Sequence, residues 1–71
     1  MKVEQTKHFI SDCENCVRIA NENRFSTNRE QIAKDKINQI CTFRGKDYAI
    51  KVANKANQKA KFKFYNVSDI V

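Results

Sequence analysis

Four side chains in this sequence carry the elements of thiol or metal chemistry: Cys13 and Cys16, spaced as Cys-x-x-Cys in SDCENCVRIANEN, together with Cys41 and His8, the single histidine. Two thiols at this spacing hold a tetrahedral metal when a tight turn lets both sulfurs converge. They exchange disulfides when the first thiolate lies at a helix N-terminus, where the dipole lowers its pKa. Here the intervening Glu14-Asn15 supplies neither turn nor glycine, and residues 3–12 already show a helical pattern before Cys13. Placed on a helix, Phe9, Ile10, Cys13, Cys16, Val17 and Ala20 fall in one apolar stripe about 120° wide. Both thiols therefore read as small apolar side chains facing a core. His8 points well away from Cys13 on that helix, so a site of three cysteines and one histidine, with Cys41 as the third thiol, requires the first turn to unwind. No metal and no cofactor is expected.

Acid–base and phosphate chemistry are equally thin. Asp12 follows His8 by one turn, the spacing of an ordinary surface pair on a helix. Asp47 is the single carboxylate between residues 36 and 67, so paired carboxylates for a divalent metal are missing from that half. One glycine, Gly45, rules out a glycine-rich phosphate loop. No catalytic residue is expected, and at 71 residues the chain reads as a single small globular domain over 1–71, too short for a deep water-excluding site.

Charge is where the sequence speaks most clearly. The net charge is +6, yet residues 1–35 hold six basic and six acidic side chains. Residues 36–67 hold eight basic side chains against Asp47 alone. Such asymmetry points to an anionic partner, nucleic acid first. The opening MKVEQTKHFI is interrupted by Glu4, Lys7 and His8, so neither a signal peptide nor a membrane span is expected, and a cytoplasmic protein with reduced thiols is.

Two helices and a sheet are expected to position these groups. The first helix covers residues 3–22, and the second runs from about 28 to 39 behind a capping box of Thr27 and Glu30. Phe25 in the connecting loop is expected to plug the gap between them. Near Cys41 the apolar period changes to 2. Gly45-Lys46 suits a type II′ hairpin turn, with Cys41, Phe43, Tyr48, Ile50 and Val52 on the core side. A third strand, AKFKFYNV over 60–67, follows a loop KANQK and adds Phe62 and Phe64 to the core. NVSDIV is read as an edge strand able to pair across a two-fold. The predicted fold class is α+β, with two N-terminal helices on a three-stranded antiparallel sheet (ααβββ).

That register places Arg44, Lys46, Lys51, Lys61 and Lys63 toward solvent as phosphate contacts, with Tyr65 as a stacking surface. The expected function is non-catalytic, sequence-independent binding of DNA or RNA through the basic sheet face. A second expectation, of another class, is a small phage- or mobile-element-type inhibitor or adaptor that docks on an acidic surface of a host protein, for instance a nucleic-acid-handling enzyme. A third is a winged-helix-like DNA binder using the Gly45 hairpin as wing. Two helices followed by a basic antiparallel sheet, an order spanning most of the chain, also resembles the RelE-type messenger-RNA nuclease toxins. That resemblance, which implies cleavage by Lys, Arg and Tyr side chains, lies in element order and in no motif.

Overall fold

The computed structural model describes residues 6–70. Among them there is no strand. Three helices, α1 Lys7–Glu22, α2 Arg29–Arg44 and α3 Lys46–Ala60, are followed by a folded-back tail with a 3-10 turn at Val67–Asp69. The predicted sheet, and with it the ααβββ class, the hairpin wing and the toxin-like element order, is corrected to an all-helical bundle.

α1 matches the apolar stripe. Thr6 caps it, its hydroxyl accepting from the Phe9 N–H at 3.4 Å, and Asn23 closes it by donating side-chain and backbone N–H groups to the Ile19 carbonyl. Residues 3–5 of the predicted helix lie outside the described residues. Phe9, Cys13, Cys16 and Ala20 are buried, while Val17 is half-buried and Ile10 largely exposed. α2 begins one residue later than the Thr27 capping box predicts: Asn28 is the cap residue, and its own N–H donates to the Ser26 hydroxyl at 3.2 Å. The loop before it leaves Phe25 88% exposed, so the predicted plug does not form.

The largest departure is at Gly45. Its backbone, at φ 99° and ψ 162°, occupies a region open essentially to glycine. Its N–H closes α2 onto the Cys41 carbonyl at 2.9 Å, and its own carbonyl accepts the Ala49 N–H at 3.1 Å in α3. One residue therefore ends one helix and starts the next. The need for glycine was legible; the turn it makes is a helix–helix corner. α3 forms because KDYAIKVANKANQKA contains Ala49, Ala53, Ala56 and Ala60 among Lys, Asn and Gln, a composition poor for strands and, in its alanines and lysines, good for helix. Tyr48, Ala49, Val52, Ala53 and Ala56 are buried, so α3 lies between α1 and α2, which hardly touch each other. Small alanine side chains let both neighbours approach. Phe43, predicted for the core, is 77% exposed instead, and Cys41 and Ile50 are half-buried.

The segment predicted as a third strand is held without a ladder. Lys61 takes the left-handed conformation at φ 66° and reverses the chain. The Asn57 side chain then replaces a neighbouring strand. Its oxygen accepts from the N–H groups of Phe64 and Tyr65 at 3.0 and 2.9 Å, and its amide donates to the Tyr65 carbonyl at 2.8 Å. Tyr65 swings into the core, fully buried, and its hydroxyl donates to the Cys16 carbonyl at 2.6 Å. Phe62 and Phe64 pack edge to face against the same cluster. The predicted edge strand at NVSDIV is a 3-10 turn with Ile70 buried behind it, and Val71 lies outside the described residues.

Candidate nucleic-acid interface

The core contacts orient the bundle. Tyr48, at the start of α3, meets His8, Phe9 and Asp12 near the start of α1, so the two helices run parallel. The ends of α1 and α3, the start of α2 and the tail consequently share the opposite end. The six residues predicted for the interface do not share one face. Arg44 sits at the first end, its Nε 3.6 Å from the Asp12 carboxylate and its guanidinium 5.7 Å from the Tyr48 ring centre. A carboxylate from α1 thus opposes it. Lys46 is exposed beside it at the first residue of α3. Lys51 is exposed halfway along α3, and Lys61 and Lys63 are exposed at the far end. Tyr65 offers no stacking surface, being buried. The predicted single face of Arg44, Lys46, Lys51, Lys61, Lys63 and Tyr65 is therefore corrected to cations spread along the bundle from one end to the other, with Tyr65 inside it.

Two other arrangements cut across the predicted elements, each drawing in part on a stretch read as a loop. The first is on α3, where Lys51, Lys55 and Lys59 recur every fourth residue with Asn54 and Gln58 beside them, all exposed. On an α-helix this spacing gives a column rising about 6 Å per step and about 12 Å in all. Lys51, Asn54, Lys55 and Gln58 line an open groove of about 280 Å³ floored by Phe9. Asp47 is the only carboxylate on the helix. The i, i+4, i+8 lysine spacing was the available signal, masked by the assignment of residues 55–59 to a turn.

The second is at the far end. The Arg24 guanidinium lies between two rings, 5.3 Å from the Phe25 centre and 4.7 Å from the Phe62 centre. Arg29 joins it through Nη1, which donates to the Arg24 carbonyl at 3.2 Å. Arg29 and Lys63 then line an open groove of about 390 Å³ with Glu30, Ala33, the Phe64–Tyr65 segment and Asn66. Arg24, Arg29, Lys61 and Lys63 form no ion pair among the described residues. No periodicity in NRFST indicated that Phe25 stays outside.

Two of the three thiols, Cys13 and Cys16, and both phenols are engaged or sealed. Burial pushes the Cys16 thiol up to about 11, and burial likewise raises Cys13 against the nearby ammonium groups of Lys59 and Lys55. Tyr65 is raised by burial, and Tyr48 by burial and then by donating to Asp12 at 2.6 Å. Asp12 therefore serves Tyr48 and Arg44, and His8 stacks on Tyr48 at 5.8 Å instead of pairing one turn along α1. Among the described residues no group of three or more His, Cys, Asp or Glu side chains is placed to hold a metal ion, and no helix is long and apolar enough to cross a membrane.

In comparisons with known proteins, no family model, no curated protein and no solved structure matches the chain.

Proposed function

We propose that this protein is a non-catalytic binder of nucleic acid that uses the outward face of α3 and the adjoining far end of the bundle. The observation that carries this reading is the column Lys51, Lys55 and Lys59, with Asn54 and Gln58 alongside, on a helix whose one carboxylate is Asp47. Three ammonium groups in about 12 Å match a polyanion: duplex DNA carries a charge every ~1.7 Å and its major groove is about 12 Å wide. Lysines kept only for solubility would be interspersed with carboxylates. Lysine contacts to phosphate fix affinity without reading bases, so sequence preference is not expected.

A second reading, the small inhibitor or adaptor of a host protein, is favoured by one feature. Phe43 is 77% exposed at the rim of a groove of about 310 Å³ shared with Asp12, Lys36, Gln39, Ile40 and Arg44. Recovery of the protein from its host with and without nuclease separates the two. Binding of a mixed DNA and RNA pool at about 50 mM salt, falling steeply as salt rises, supports the first. A stoichiometric protein partner that survives nuclease, with no nucleic-acid binding at that salt, replaces it with the second.

A further inference from the structure

We infer that the far end of the bundle is a stacking site for an unpaired nucleotide, with Phe25 as the platform and Arg24, Arg29 and Lys63 as the groups that hold its phosphates. This inference rests on the nucleic-acid reading and narrows its ligand to a single-stranded polynucleotide.

The geometry begins with an anomaly. Phe25 is the most exposed large apolar side chain of the described residues, at 88%, in a domain short of apolar material for its core. It does not dangle alone: the Arg24 guanidinium lies 5.3 Å from its ring centre and is backed at 4.7 Å by Phe62, which is half-buried against the core cluster. Phe62 is in turn held edge to face by Phe64, and Phe64 by the buried Tyr65. Arg24 is thus braced by a chain of edge-to-face rings rooted in the core, and the 88% exposure of Phe25 leaves ring surface for a further planar group. Aromatic bases fit such a face whatever their identity, because each presents a π surface.

The charge around the ring identifies what carries that planar group. Arg29 is tied to the Arg24 carbonyl at 3.2 Å, and Arg29 and Lys63 border the adjoining groove of about 390 Å³. Glu30 also borders the groove and is the carboxylate there. Lys61, exposed, precedes Phe62 in the chain, and the lysine column of α3 runs toward this same end. A neutral planar metabolite makes no use of these cations. A duplex satisfies the cations, but its bases are stacked on each other and not free for Phe25. A single strand uses both, with phosphates along the cations and a splayed base on the ring.

The test uses the full chain with three labelled probes at low salt: a short oligothymidylate, a short oligouridylate and a blunt-ended duplex without a loop. Phe25→Ala is expected to fold normally, since the ring is exposed, and to weaken both single-stranded probes about tenfold while moving the duplex by less than about twofold. Phe25→Trp is expected to restore single-strand affinity. Lys55→Glu with Lys59→Glu weakens all three probes. Single-strand binding unchanged in Phe25→Ala, or equal losses on single strand and duplex, overturns the stacking site and leaves the nucleic-acid reading intact. Failure of the unaltered protein to bind any of the three overturns both.

Discussion

Each end of this bundle sets a guanidinium against aromatic rings, and the two ends treat it in opposite ways. At the Tyr48 end, a guanidinium, a carboxylate, a phenol and an imidazole satisfy one another: Tyr48 donates to Asp12, Asp12 faces Arg44, and His8 and Arg44 lie against the Tyr48 ring. At the far end the guanidinium of Arg24 meets rings and no carboxylate among the described residues. The first arrangement is locally neutralised and ties three helices together. The second leaves positive charge and a bare ring facing solvent. A net charge of +6 says nothing of this difference; what separates the ends is that Asp12 engages Arg44 while Arg24 lies over Phe25 and Phe62 of the α1–α2 loop and the tail.

The sharpest way to break the far end is to remove Asn57. Its side chain satisfies three backbone groups of the tail, so Asn57→Ala leaves partly buried N–H groups unpartnered and should lower stability by about 2–3 kcal/mol. Hydrogen exchange should show residues 62–70 losing protection while the Tyr48 end keeps it. Equal loss at both ends would mean that the tail is not a separate element.

At the opposite end, Tyr48→Phe deletes the hydrogen bond to Asp12 and leaves the packing. About 1.5–3 kcal/mol should be lost on denaturant unfolding, as for a bond to a charged acceptor. The same change should not alter nucleic-acid affinity.

The seam between the ends can be probed by pH. Cys16, buried beneath the Tyr65 hydroxyl, is raised from an ordinary 9.0 to about 11. The folded chain holds this proton more tightly than the unfolded one, so the stabilisation is complete below about pH 9. It is lost progressively as the pH rises toward 11, by roughly 2–3 kcal/mol for this thiol. The raised Tyr48 and Tyr65 hydroxyls extend the loss to still higher pH. Thermal unfolding between pH 7 and 11 checks the sign, and a Cys16→Ala variant should flatten the slope. At neutral pH, Cys41, half-buried, should alkylate before Cys13 and Cys16.

The smallest effect sharpens the contrast most. Phe43→Ser removes an exposed ring at the Tyr48 end, where stability should change by less than about 0.5 kcal/mol and single-strand affinity should stay put. Set beside Phe25→Ala, it asks whether any exposed ring serves or only the one flanked by unopposed cations.

Why the sequence revealed α1 and not α3 is a matter of competing periods. In α1 the apolar residues admit one period, and Phe9, Cys13, Cys16 and Ala20 are buried as that period requires. From Cys41 onward, the larger side chains Phe43, Tyr48, Ile50 and Val52 alternate as a strand does, while Ala49, Ala53 and Ala56 mark a helical stripe. By side-chain size the segment reads as a strand, and by alanine spacing as a helix. The alanines decided otherwise, because a helix wedged between two others needs small side chains on the buried face. Gly45 carried the same ambiguity, since a positive φ serves a hairpin and a helix corner alike. The tail was legible in composition and not in sense: alternation put Phe62 and Phe64 inside and Tyr65 outside, whereas three hydrogen bonds from Asn57 turn Tyr65 inward. Phe25 and Tyr65 thereby exchanged the roles expected of them. The basic half-chain was plain in the sequence, but the neutralisation of Arg44 by Asp12 crosses 32 residues and has no local signature.

The most direct measurement is an amide chemical-shift titration of the full chain with oligothymidylate at about 50 mM salt. Shifts should gather at Arg24, Phe25, Arg29 and from Lys51 through Lys63, leaving Asp12, Arg44 and Tyr48 still. Largest shifts around Asp12 and Tyr48, or a spectrum unmoved by the oligonucleotide, would contradict the assignment of binding to the open end.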